Sequence, residues 1–79
     1  MTFAERLKKA RENANITQTK LAEQSGVSLR TIQNWENGVR KPSNIDGVTK
    51  IAEVLGVSAT ELIDGIVEFV LAVGAQYGS

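Results

Sequence analysis

The sequence contains neither cysteine nor histidine among its 79 residues. Without cysteine it can form no disulfide and no thiolate-bound metal site. Without histidine it lacks the side chain that most often serves as a general acid or base near neutral pH and as a metal ligand. Enzymatic chemistry would have to rest on carboxylates, lysines or hydroxyls, and no convergent cluster of them is apparent. We therefore expect a non-enzymatic protein without a metal or any other cofactor.

Long apolar runs are also missing. The only one, residues 66–73, is interrupted by Glu68 and is far shorter than the ~20 residues that a membrane-spanning helix needs. The first residues become amphipathic at once and contain no apolar core of a secretory signal. We expect a cytoplasmic protein without a membrane partner.

An excess of basic residues, the usual electrostatic mark of a nucleic-acid-binding domain, is absent too. Lysine plus arginine and aspartate plus glutamate both number nine, so the formal net charge is zero. Residues 16–43 nevertheless carry four basic and two acidic side chains, a local balance of +2. Because a phosphate backbone responds to the local face of a protein, the overall balance does not exclude DNA binding.

Polar residues of the kind that cap helix N-termini recur along the chain, at Thr2, Thr17, Ser28, Ser43 or Asn44, and Ser58. The first and the last are followed three residues later by glutamate, which completes a capping box. Glycines that tolerate a positive φ stand at positions 26, 38 and 56, where helices would end. The pattern predicts helices over residues 3 to about 13–15, 18–24, 29–37 and 45–55, and a short fifth helix over Leu62 and Ile63.

Apolar residues at helical spacing should bury one face of these helices against a single core. The expected stripes are Phe3, Leu7, Ala10 and Ala14 in the first helix and Ile45, Val48, Ile51, Ala52 and Leu55 in the fourth. With no strand-like alternation before residue 65, the sequence predicts an all-α domain over residues 1–64 and a separate apolar tail over residues 65–79.

The second and third predicted helices have the spacing of a helix-turn-helix. Gly26 takes the tight turn, and Leu21, Val27, Ile32 and Trp35 should be buried and hold the two helices at a fixed angle. Burial suits Trp35 better than stacking on a base. The outer side of the second of these helices is then free to enter a major groove of DNA.

Residues 3–64 resemble the phage-repressor and Cro family of helix-turn-helix domains, the XRE type. Six stretches carry the resemblance, in order and at the family's spacing: residues 7–11, 16–22, 25–28, 32–38, 40–43 and 55–58. The resemblance implies a five-helix, lambda-repressor-like fold that binds double-stranded DNA in the major groove.

The resemblance also implies a role for individual residues. Base contacts are expected from Ser28, Leu29, Arg30, Thr31 and Asn34. Contacts to the DNA backbone are expected for Gln18, Asn37, Arg40 and Lys41, and Gln18 is also expected to brace the recognition helix. Lys20 and Gln33, which the resemblance does not assign, are expected to lie beside the DNA backbone or to be solvated. Arg11 and Glu36 are expected to form a structural ion pair between the first and third helices.

Each DNA contact has an alternative. Arg30 could donate two hydrogen bonds to guanine O6 and N7, or it could be a solvated surface charge. Asn34 either binds adenine or a phosphate, or is a solvated side chain. Arg40 and Lys41 could instead belong to an ordinary polar loop. Leu29 departs from the polar residues common at its position, so it contacts either a thymine methyl or the domain's own surface.

The tail admits three interpretations. Ile66, Phe69, Val70 and Val73 share one face of a helix, which suits a sixth helix closing the core or a dimer contact. The alternating residues Val67, Phe69, Leu71 and Val73 would equally line one face of a strand. The tail could instead be the stub of a longer protein, joined to a second domain or a protein partner.

Taken together, the sequence predicts a sequence-specific transcription regulator, a repressor that binds a palindromic operator as a homodimer. It would be a bacterial or phage protein that is located in the cytoplasm and associated with the nucleoid. Two alternatives stay open: the antitoxin of a toxin–antitoxin pair, and a protein-interaction adaptor without DNA binding.

Overall fold

The computed structural model describes residues 2–43 and 45–63. These residues form five helices and no strand: α1 (Phe3–Asn13), α2 (Gln18–Ser25), α3 (Leu29–Glu36), α4 (Ile45–Leu55) and α5 (Ala59–Ile63). The predicted all-α, five-helix architecture is therefore confirmed. The expectations for residues 65–79 and the alternative cap at Asn44 lie outside the described residues.

Hydroxyl side chains begin the helices as the sequence predicts. Thr17, Ser28 and Ser58 each accept a hydrogen bond from the backbone amide three residues further on, at 3.1, 3.1 and 3.2 Å. Each bond satisfies one of the first-turn amides that have no partner within the helix. The starts of α2, α3 and α5 are thus set by local chemistry.

The capping box at the start of α1 is complete. The Glu5 amide donates to Thr2 Oγ1 at 3.2 Å, and the Thr2 amide donates back to Glu5 Oε1 at 3.2 Å. The Thr2 hydroxyl also donates to Glu5 Oε1 at 3.1 Å. The backbone hydrogen bond from Thr2, and then the bond from its hydroxyl, hold the pKa of Glu5 below its ordinary value, because both favour the carboxylate.

Thr2→Ala should therefore raise the pKa of Glu5 toward its ordinary value, since the hydroxyl donor is removed while the backbone donor stays. A depressed pKa stabilises the fold above the unfolded-state value, and that contribution is lost as the pH falls through the folded-state value. An NMR titration of the Glu5 side-chain carboxyl in both proteins measures the shift. Identical titration curves would show that the Thr2 hydroxyl does not bind the carboxylate in solution.

All five helices contribute side chains to one core. The buried apolar residues are Phe3, Leu7, Leu21, Ile32, Trp35, Val48, Ile51, Ala52, Leu55, Leu62 and Ile63. Val27 is half-buried against this core. Two expected members of the stripes lie outside it: Ala14 is exposed and Ile45 is 36% exposed. Ala14 caps the end of α1 and Ile45 is the first residue of α4, so both extend past the packed part of their helices.

Among the five described helices, the packing leaves one side of α3 uncovered. Helix α1 packs against α3 and α5, α2 packs against α3 and α4, and α4 packs against α5. Helix α3 is therefore held from its inner side by α1 and α2. In the described part of the chain, no helix has the length and apolar character to cross a membrane.

Candidate nucleic-acid interface

The turn between α2 and α3 determines where α3 begins. Gly26 caps α2 in the left-handed conformation, with φ of 78°, and its amide donates to the Ala22 carbonyl at 3.0 Å. The Val27 amide donates to Ser25 Oγ at 3.1 Å. A residue with a Cβ is strained at that φ, so glycine suits this turn.

Helix α3 has two distinct sides. Ile32 and Trp35 are buried, and the Glu36 side chain is only 3% exposed. Arg30, Gln33 and Asn37 are exposed, and their spacing of three and four residues places them on one side of the helix. We call this exposed side, with the half-buried Asn34 beside it, the outer face of α3.

Glu36 is the centre of a hydrogen-bond network that joins three helices. Its carboxylate accepts from Arg11 Nε at 2.7 Å, from Arg11 Nη2 at 3.1 Å and from Gln18 Nε2 at 3.1 Å. Arg11 Nη1 donates to the Ile16 carbonyl at 2.9 Å. The end of α3 is thereby tied to α1 and to the first residue of α2, and the expected Arg11–Glu36 ion pair is present.

The network also removes a negative charge from the surface near α3. The Glu36 carboxylate is buried and accepts hydrogen bonds from both partners. The hydrogen bond from Arg11 to Glu36 raises the pKa of Arg11, so the guanidinium stays charged. The one acidic side chain of α3 is therefore not exposed on the surface of the domain.

The loop after α3 folds back over the end of that helix. The amides of Val39 and Arg40 donate to the Asn34 carbonyl at 3.0 and 3.3 Å, and Gly38 has φ of 75°. Pro42 is buried, which anchors the far end of the loop. Arg40 and Lys41, between these anchors, are exposed in the loop that follows α3.

The exposed charges of α2, α3 and this loop are mostly positive. Lys20, Arg30, Arg40 and Lys41 are exposed, and Glu23 is the only exposed acid among residues 16–43. Four positive charges and one negative charge give an exposed balance of +3. Glu23 Oε2 lies 3.9 Å from Lys20 Nζ, and both side chains are more than half exposed. Such surface ion pairs contribute little to stability.

The structure brings most of the predicted DNA contacts onto α3 or its flanks. Ser28 and Arg30 are exposed, whereas Leu29, Thr31 and Asn34 are half-buried. The half-burial of Leu29 is compatible with both of its expected roles. The hydrogen bond between Ser28 and Thr31 (Oγ to Oγ1, 2.8 Å) was not anticipated from the sequence, although a Ser-x-x-Thr spacing at a helix start is the pattern that permits it.

Residues 4–68 match the sequence profile of a family described as Helix-turn-helix domain. The chain belongs to this family. The resemblance to XRE-type regulators that the sequence motifs indicate is therefore confirmed.

Three curated relatives illustrate the family. The HTH-type transcriptional activator BcrR of Enterococcus faecalis is 38% identical over 82% of this chain and 31% of its own length. An uncharacterised HTH-type transcriptional regulator of Mycobacterium tuberculosis is 43% identical over 71% of this chain and 39% of its own length. The cryptic phage CTXphi transcriptional repressor RstR of Vibrio cholerae is 36% identical over 78% of this chain and 54% of its own length. The chain thus spans about a third to a half of the length of these relatives.

A solved structure shares the fold of this helix-turn-helix domain. It is a chain of a SinR protein/SinI protein complex, with a TM-score of 0.76 and 24% sequence identity. The match covers 99% of this chain and 82% of that one. At this identity the likeness concerns the fold alone.

Proposed function

We propose that this helix-turn-helix domain is the DNA-binding part of a transcriptional repressor that binds a palindromic operator as a homodimer. Its cellular place would be the cytoplasm, at the nucleoid. The outer face of α3 enters the major groove, and the domain itself performs no chemistry. The observation that carries the proposal is the bracing of α3, through Glu36, by Arg11 and Gln18.

Bracing matters because base recognition requires side chains at fixed positions. Arg30 is exposed on α3, and an arginine can donate two hydrogen bonds to guanine O6 and N7. Asn34 lies one turn further along the same helix and can bind adenine or a phosphate. Leu29 is proposed to contact a thymine methyl, and Ser28 and Thr31 stand at the start of the helix.

Backbone contacts are proposed for the residues that flank the outer face. Gln33 on α3 and its C-cap residue Asn37 are exposed, and Arg40 and Lys41 are exposed in the loop that follows. In α2, Gln18 and Lys20 are proposed to lie beside the backbone. Such contacts position a protein on DNA without selecting a sequence.

A dimer is proposed because one copy offers a small interface. A single module buries roughly 600–1,000 Å² on DNA, and the exposed charge of +3 supports few phosphate contacts. Two copies related by two-fold symmetry would place their α3 helices about 34 Å apart, in successive major grooves. Repression is proposed because the chain spans 54% of RstR, a repressor, but only 31% of BcrR, an activator.

The test is selection of bound sequences from a random duplex pool with the wild type, Arg30→Ala and Lys41→Ala. Arg30→Ala should relax the preference at one base pair in each half-site, with a loss of about 1–3 kcal/mol in binding free energy. Lys41→Ala should weaken all duplexes about equally and lower the salt dependence by about one phosphate contact. Lys50→Ala, an exposed lysine on α4, is the matched control and should change neither property.

Three results would contradict the proposal. If Arg30→Ala selected the same motif as the wild type, the proposed contact of Arg30 with a base would be wrong. Selection of a single half-site that binds one copy of the protein would contradict the homodimer. Absence of any salt-dependent duplex binding by the wild type would favour the adaptor function without DNA.

A further inference from the structure

The first turn of α3 contains a pair of hydroxyls whose hydrogen bonds differ in kind. Ser28 Oγ accepts from the Thr31 amide at 3.1 Å, which is the N-cap bond. The Ser28 hydroxyl also donates to Thr31 Oγ1 at 2.8 Å. Two of the three hydrogen-bonding positions of the Ser28 hydroxyl, including its only hydrogen, are therefore occupied within the domain.

Thr31 is in the opposite situation. Its Oγ1 accepts from Ser28, but within residues 2–43 and 45–63 no acceptor receives its hydroxyl hydrogen. A threonine in a helix often donates that hydrogen to a carbonyl one turn earlier, and no such bond is found for Thr31 among the described residues. A hydroxyl that accepts a hydrogen bond also becomes a better donor.

We propose that Ser28 is a positioning residue that holds the Thr31 hydroxyl as a fixed hydrogen-bond donor, and that Thr31 reads an acceptor on one base edge. This inference rests on the proposed function. It gives different roles to Ser28 and Thr31, which the sequence analysis both predicts to be base contacts. In the major groove, guanine N7 and O6, adenine N7 and thymine O4 are acceptors, whereas cytosine offers only its amino group. The contacted base is therefore guanine, adenine or thymine, and cytosine is disfavoured there.

A double-mutant cycle tests the inference in the same selection from a random duplex pool. Thr31→Val removes the hydroxyl and keeps the shape of the side chain. Ser28→Gly removes the other hydroxyl, and glycine is tolerated at an N-cap with little loss of helix stability. Thr31→Ser retains the donor and is the conservative control.

We expect Thr31→Val to weaken discrimination against cytosine at one base pair by about 3-fold to 10-fold, the range of one net hydrogen bond. Ser28→Gly should weaken discrimination at the same base pair and at no other. In the Thr31→Val background, Ser28→Gly should have no further effect on the motif, because the donor that it positions is gone. Thr31→Ser should keep the wild-type motif.

Thr31→Val and Ser28→Gly could instead change the preference at different base pairs, with independent effects. That result would show that Ser28 itself contacts a base and would overturn the inference. An equal loss on all duplexes in Thr31→Val would assign Thr31 to a phosphate and overturn it as well. Both results differ from failure of the proposed function, in which the wild type would select no motif. Urea denaturation of each variant confirms that the folded proteins are being compared.

Discussion

Arg11→Met should lower the free energy of unfolding by about 3–5 kcal/mol. Methionine keeps an unbranched apolar side chain but removes the guanidinium, which donates twice to Glu36 and once to the Ile16 carbonyl. The Glu36 side chain is 3% exposed, so its carboxylate would stay buried with Gln18 as its only remaining donor in the described structure. A domain of this length has a total stability of about 4–12 kcal/mol. Urea denaturation followed by circular dichroism should show a large fall in the midpoint.

Two further variants separate the ion pair from a general effect of substitution in α1. Lys9→Met replaces an exposed charge of the same helix and should change stability by no more than about 0.5 kcal/mol. Adding Glu36→Gln to Arg11→Met should restore part of the loss, because the unpaired buried charge is then replaced by a neutral amide. Equal urea midpoints for Arg11→Met and Lys9→Met would show that the ion pair does not stabilise the fold.

The helices were predictable because their ends are encoded locally. Thr2, Thr17, Ser28 and Ser58 all accept the N-cap bonds that their position before an apolar stripe predicts. Gly26 takes a positive φ at the end of α2. A cap depends on a few consecutive residues, so no knowledge of the tertiary structure is needed to find it.

Burial at helix ends was less predictable. The spacing of Ile45 fits the apolar stripe of α4, yet the residue is 36% exposed because it lies at the first position of the helix. Val39, which no periodicity places, is 67% exposed. Periodicity indicates which side of a helix is apolar, but the extent of the neighbouring helices decides how much of that side is covered.

The candidate site likewise has features that the sequence predicts and features that it does not. The sequence motifs predicted the Arg11–Glu36 pair and the basic residues beside α3, because the family resemblance assigns them by position. The bond between Ser28 and Thr31 depends on side-chain rotamers, which a spacing pattern permits without specifying. The exposed balance of +3 likewise depends on the burial of Glu36, whereas counting charges along residues 16–43 gives only +2.

Gly47 illustrates a packing constraint that the sequence shows only indirectly. A glycine inside a helix is unfavourable by roughly 1 kcal/mol relative to alanine and often has a packing reason. Here a Cβ at position 47 would lie 3.0 Å from Trp35 Cη2. The absence of a side chain in the first turn of α4 therefore makes room for the indole ring of α3.

Trp35→Ala should lower the free energy of unfolding by about 3–5 kcal/mol, the effect of removing a buried aromatic side chain. Trp35 is 8% exposed, and its ring meets that of Phe3 edge-on, with centroids 5.7 Å apart and planes at 72°. The ring also fills the space beside Gly47, so its loss leaves a cavity between α1, α3 and α4. Val39→Ala, at an exposed apolar position, is the control and should change stability by no more than about 0.5 kcal/mol.

Trp35→Phe keeps an aromatic ring and should fold, which allows the role of the indole to be tested on DNA. Because Trp35 lies on the inner side of α3 and Arg30 on the outer side, Trp35→Phe should reduce stability by less than Trp35→Ala and leave the selected DNA motif unchanged. Urea denaturation and duplex selection measure the two properties separately. A changed preference at one base pair, with unfolding unaffected, would instead place the indole against a base and reverse the assignment of the two sides of α3.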